Sequence, residues 1–154
     1  MRQRIENELG IETAGQLNIK QGPGGIVDIE FLTQMMALRY GSRYLEPRRR
    51  STAHLLSSLI SNQLITAADG QSLQSDRDFL TRLENSLRME SDQASWALPT
   101  DPDKLTPLAR RMGFTGADAA GDLLDELRRR RRRVREIFTR CFEAEQAEPA
   151  AARP

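Results

Sequence analysis

The sequence is short of the residues that build covalent or metal chemistry. Among 154 residues there is one cysteine, Cys141, and one histidine, His54, so an internal disulfide is excluded and a structural zinc site would need several carboxylates. Aromatics make up 5% of the chain and Trp96 is the single tryptophan. The core therefore has to come from Leu, Ile, Val, Met and Ala, which favours helices. An excess of one charge is lacking too: 23 basic residues face 22 acidic ones, a formal balance of +1, and no global field draws the chain to nucleic acid or to an anionic membrane. No apolar run approaches the roughly 20 residues that span a bilayer. The opening Met1-Arg2-Gln3-Arg4-Ile5-Glu6 leads into no signal-peptide core. The expectation is a cytoplasmic protein, with neither nucleic acid nor membrane among its partners.

What is present is helical periodicity. The apolar patterns repeat near 3.6 rather than 2, which predicts an all-α bundle of five or six helices in one domain. Ile5 and Leu9, four apart before Gly10, read as the end of a helix over residues 1–9. Opening on half an element points to a chain cut from something longer. Gly10 to Gly25 reads as a loop with one tight turn, in which Leu17 to Lys20 is extended. Ile26 to Tyr40 is a largely buried helix ended by Gly41, and Ser51 or Thr52 caps a helix carrying Leu55, Leu56, Leu59, Ile60 and Leu64. Thr66 to Met89 aligns Leu73, Leu80, Leu83 and Leu87. Residues 90–102 form a surface excursion holding Trp96, and Asp103 to Met112 is a short helix stopped by Gly113. The final helix, introduced by Gly116 and Asp118, runs to about Glu143. Its inner stripe includes Leu123, Leu127, Val134, Phe138 and Cys141. The tail over 144–154 has no apolar anchor and is expected to be disordered, which leaves 1–143 as the helical domain.

The segment Lys20-Gln21-Gly22-Pro23-Gly24-Gly25-Ile26-Val27-Asp28-Ile29-Glu30-Phe31 stands apart. A lysine precedes a glycine/proline turn that feeds straight into a helix with Asp28 in its first turn. Successive small residues let backbone N–H groups converge, and a helix N-terminus adds positive charge, so phosphate is the natural guest. Lys20, one of two lysines beside 21 arginines, would supply a point charge. The plainer reading is that Gly22, Gly24 and Gly25 only make a turn and Asp28 offsets the helix dipole. Asp28 and Glu30, two apart, lie about 200° around a helix and cannot grip one metal as a pair. Glu30 and Gln34, four apart, share a face that meets either solvent or another domain.

Lys20 to Gln34, read as Lys-x-Gly-x-Gly-Gly-Ile-Val-Asp-Ile-Glu-Phe-Leu-x-Gln, resembles the signature that follows the nucleotidyltransferase domain in the glutamine synthetase adenylyltransferase family. A looser Lys, Gly-Gly, Asp version occurs in PII uridylyltransferases. Arg2 to Leu9 resembles the helix before that signature. Leu83-Glu84-Asn85-Ser86-Leu87-Arg88 and the helix Leu123 to Phe142 resemble the family's helical domain. The resemblance implies transfer of AMP from ATP to a tyrosine of glutamine synthetase with magnesium, removal of AMP by phosphorolysis in two-lobed members, and control by the PII protein and glutamine. The family's Gly-Ser-x-Asp-x-Asp carboxylates and Arg-Leu-Arg-Pro are absent here; Gly41-Ser42 leads into Arg43. Such phosphoryl chemistry needs metal-holding carboxylates. The resemblance thus implies a helical domain, inactive alone, that packs on a catalytic domain outside this chain. ATP and magnesium would be held there. The place suggested is the carboxy-terminal, AMP-adding half. On this reading Lys20, Gly22, Gly24, Gly25, Asp28 and Glu30 are candidates for the nucleotide cleft.

The run Arg128 to Arg133, with Arg135, is the other prominent feature. From Asp122 to Glu143 eight arginines face five acids, in an order that suits the helix dipole and i, i+4 pairing. The run reads as a solvated face with snorkelling stems, or as a docking surface formed by Arg128, Arg129, Arg132 and Arg135, with Trp96 a further partner contact. Arg131 falls on the apolar stripe. No aromatics for stacking bases lie nearby. His54 reads as a capping or surface residue, Cys141 as buried and inert, and Tyr40 and Tyr44 as structural. Two other readings remain: a PII uridylyltransferase relative, and a helical adaptor whose basic helix docks an acidic partner.

Overall fold

The computed structural model describes residues 10, 12–44, 51–90 and 96–147; the helix expected over 1–9 lies outside them. Among the described residues the apolar periods become five helices: α1 (Ile26–Tyr44), α2 (Thr52–Ser61), α3 (Ala67–Glu90), α4 (Pro102–Arg111) and α5 (Ala119–Ala147). Their inward faces merge into one core. Ile29 and Leu32 of α1, Leu56 and Leu59 of α2, Leu73, Leu80 and Leu83 of α3, Leu105 and Leu108 of α4, and Leu123, Leu127 and Val134 of α5 are all buried there. The long α5 lies against α1, α3 and α4, while α2 joins α1 to α3.

Local chemistry sets the helix ends. The Ser51 hydroxyl accepts from the backbone N–H of His54 at 3.3 Å and caps α2. The Asp101 side chain caps α4 by accepting from Asp103 N–H at 3.0 Å, with Pro102 in the first helical position. His54 is exposed at the start of α2.

The all-α expectation holds, with one small antiparallel ribbon added to it. β1 (Gln16–Asn18) pairs with β2 (Ala97–Pro99), Leu17 opposite Leu98. Three residues are too few for a period of two to stand out. Ile19 N–H donates to the Trp96 carbonyl at 3.1 Å and Thr100 N–H to that of Gly15 at 3.1 Å. The ribbon therefore ties the glycine loop to the Trp96 loop. Two helices also run longer than their patterns. Gly41 does not end α1, which continues to Tyr44. An interior glycine costs a helix about 1 kcal/mol, too little to break one anchored by Ile29, Leu32 and Met36. The last helix passes Glu143 to Ala147, because Glu145 is held from α1: the Tyr40 hydroxyl donates to Glu145 Oε1 at 2.8 Å and Arg39 pairs with its carboxylate at 2.6 Å. Residues 144–147 thus belong to the helix rather than to the expected tail.

Candidate functional site: the glycine turn and the arginine helix

Asn18 starts the turn. Its side-chain oxygen accepts from the backbone N–H of Lys20 (3.1 Å) and Gln21 (2.8 Å), and its carbonyl accepts from Gly22 (3.1 Å). Gly25 N–H donates to the Gly22 carbonyl (2.9 Å), Ile26 to Ile19 (3.3 Å) and Val27 to Lys20 (3.0 Å). Gly24 N–H donates to Asp28 Oδ2 at 2.7 Å. Each N–H from Lys20 to Val27 has an acceptor inside the domain, so the backbone holds no open row of donors for a phosphate. Lys20 is the cation the turn presents.

Two glycines are dictated by geometry. Gly24 has φ +71°, and a Cβ there would overlap the backbone carbonyl of Arg131 on α5; a Cβ on Gly25 would stand 2.5 Å from the Lys20 carbonyl oxygen. With Gly22, both are buried. The turn is therefore seated on α5.

Arginines make the seat. Arg131, 8% exposed, donates from Nε to the Pro23 carbonyl at 2.9 Å and from Nη2 to Glu12 Oε1 at 2.7 Å. The same Glu12 oxygen accepts from Asn18 N–H at 2.9 Å. Arg135 pairs with the fully buried Asp28 at 3.2 Å. Arg130 and Arg133 both grip Asp76 of α3, also fully buried, and Arg130 lies 4.6 Å over the Phe79 ring. A buried carboxylate needs such partners. The solvated face expected for the run is thereby corrected: Arg130, Arg131, Arg133 and Arg135 hold the bundle together. Arg128, Arg129 and Arg132 are exposed; the first two pair with Asp125 and Glu126 one turn back, and Arg132 makes no hydrogen bond or ion pair among the described residues.

Lys20 ties the turn to α3. Its ammonium lies 3.3 Å from Glu84 and 4.6 Å from the centre of the Trp96 ring. The buried Trp96 Nε1 has no hydrogen-bond partner among the described residues. Three segments quoted for the resemblance, 20–34, 83–88 and 123–142, thus meet in two ion pairs, Lys20–Glu84 and Asp28–Arg135. The anchors Glu12 and Asp76 were not singled out from the sequence. Arg131's place on an apolar stripe was the available signal that the run needed buried counter-charges. Glu30 is half-buried on the far side of α1 from Asp28, and Gln34 is exposed beside it. Cys141 is partly buried, and that burial pushes its thiol pKa up.

The carboxylates do not fit magnesium. Asp76 is taken up by Arg130 and Arg133, Asp28 by Arg135 and the Gly24 N–H, and Glu30 stands apart; among the described residues no three His, Cys, Asp or Glu side chains converge on one point.

A model of the GlnD PII-uridylyltransferase family matches residues 1–142. The chain belongs to that family. It is also similar to proteins named bifunctional glutamine synthetase adenylyltransferase/adenylyl-removing enzyme: 39% identical over 132 residues in Nitrosomonas europaea (86% of this chain, 14% of the relative), 35% over 154 in Methylococcus capsulatus (100% and 16%), and 33% over 129 in Streptomyces coelicolor (84% and 13%). The chain spans about one seventh of the length of these relatives. Among the described residues no helix is long and apolar enough to cross a membrane.

Proposed function

We propose that this chain is the helical domain of a cytoplasmic glutamine synthetase adenylyltransferase. The whole enzyme joins a tyrosine oxygen of glutamine synthetase to the α-phosphorus of ATP and releases pyrophosphate. The observation that carries the reading is that the relatives resembling this chain over most of its length bear that enzyme's name. The competing reading, a PII uridylyltransferase domain, has the family model's description on its side but not the names of these relatives.

On this reading ATP and magnesium sit on a catalytic domain encoded outside these residues, in keeping with buried Asp28 and Asp76 being paired with arginines, and the chain alone is inactive. The turn Lys20–Asp28 borders the nucleotide cleft. Asp28 organises the turn through Gly24 N–H, and Lys20 swings its ammonium from Glu84 toward phosphate. Arg132 and Arg135 line a groove of about 560 Å³ beside Pro23, and with the exposed Arg128 and Arg129 they offer an acidic surface of glutamine synthetase a basic counterpart. Trp96 is a second contact. The PII protein acts on the whole enzyme. The test is Lys20→Ala in the longer polypeptide. The reading predicts a raised KM for ATP or a lowered turnover, whereas wild-type kinetics would remove Lys20 from the cleft. Reversing Arg129 and Arg132 to Glu should weaken co-purification with glutamine synthetase, and unaltered recovery would remove those arginines from its interface.

A further inference from the structure

We propose that the outer stripe of α1, Val27, Glu30, Gln34 and Leu38, is the surface on which the catalytic domain of the same polypeptide packs, through an apolar patch bearing a basic group. This rests on the reading above. In a helix advancing 100° per residue these four positions fall within an arc of about 80°. The buried Ile29, Leu32, Thr33 and Met36 lie on the opposite side. Leu38 is 88% exposed, and Val27 is not among the half-buried residues packed on the core. The side chains of Glu30 and Gln34 make no hydrogen bond or ion pair among the described residues. Phe31, at the edge of the stripe, packs on the core with its ring 6.3 Å from that of Phe138, so the outward surface is Val27 and the exposed Leu38 flanking two polar side chains that have no partner among the described residues, a mixed composition that suits an interface. The arginine helix contrasts with it, since Arg130, Arg131, Arg133 and Arg135 are spent on partners within the bundle.

The occupant follows from three facts. The stripe begins at the glycine turn and continues through the signature segment, which places it next to whatever the turn borders. The relatives carry some six-sevenths of their length outside the matching region, so a further domain is available to cover it. The one charge on the stripe, Glu30, is negative and calls for a basic partner.

Thiol footprinting tests this. In a Cys141→Ser background, Gln34→Cys and, as control, Gln71→Cys on exposed α3 surface are labelled with N-ethylmaleimide in this 154-residue chain and in the longer polypeptide carrying the transferase domain. The proposal predicts labelling at position 34 at least about tenfold slower in the longer polypeptide, as burial in an interface core requires, with position 71 unchanged. Equal rates at position 34 overturn it. Leu38→Asp in the longer polypeptide should restore labelling at position 34 while leaving the melting temperature of the short chain unaltered; continued protection would also overturn it. Adenylylation of glutamine synthetase is assayed on the same longer polypeptide. Protection without adenylylation keeps the surface and removes the functional reading, and adenylylation without protection does the reverse.

Discussion

A methyl group at position 24 would strike the backbone of α5, and this single overlap shows how tightly turn and helix are fitted. Gly24→Ala has to adopt φ +71° and displace the Arg131 carbonyl. It should cost about 2 kcal/mol or more, read as a lowered urea midpoint; a midpoint within error of wild type would mean that the turn is not seated as described. Asp76→Ala strips two arginines of a buried partner and should cost about 3 kcal/mol, since breaking a buried pair strands the remaining charge. The exposed Arg132→Ala should lie within about 0.5 kcal/mol of wild type. Cys141 supplies a chemical check. A thiol whose pKa burial has raised carries less thiolate at pH 8, so iodoacetamide should modify it more slowly in the native chain than in urea. These residues differ in how readable they were. Arg131 announced itself by falling on an apolar stripe, whereas its partner Glu12 lies 119 positions away and a single sequence carries no mark of that pairing.

The helices were legible because each buries a continuous stripe, and a period near 3.6 survives in any window longer than two turns. Their ends were less so. Gly41 is a helix stop by local propensity, yet α1 runs through it, since packing outweighs a penalty of about 1 kcal/mol. The last turn of α5 depends on Arg39 and Tyr40 holding Glu145, contacts made across more than a hundred positions. Glu145→Ala should therefore raise amide exchange over residues 141–147 and leave the middle of α5 protected; uniform exchange along the helix would contradict this account. At the other end of the scale, Ser51→Ala removes the cap of α2 and should cost about 1 kcal/mol.

For the whole molecule, the arginine run and the glycine turn are one construction. Arg131 holds the turn, Arg135 holds the carboxylate beneath it, and Arg130 with Arg133 fastens α5 to α3. The signature segment is in this sense structural on its inner side, where Asp28, Ile29 and Leu32 lie, while the side chains of Glu30 and Gln34 on its outer side have no partner among the described residues. Helical spacing alone put Asp28 and Glu30 on opposite sides and Glu30 with Gln34 on one face, but it could not show that Asp28 is buried against Arg135, a residue more than a hundred positions away. The measurement that bears most directly on the account is nucleotide transfer by the longer polypeptide given purified glutamine synthetase, purified PII protein, α-labelled ATP and α-labelled UTP. Label from ATP on a glutamine synthetase tyrosine, with none from UTP on PII, is the predicted result. Label from UTP on PII, with none on glutamine synthetase, would contradict it.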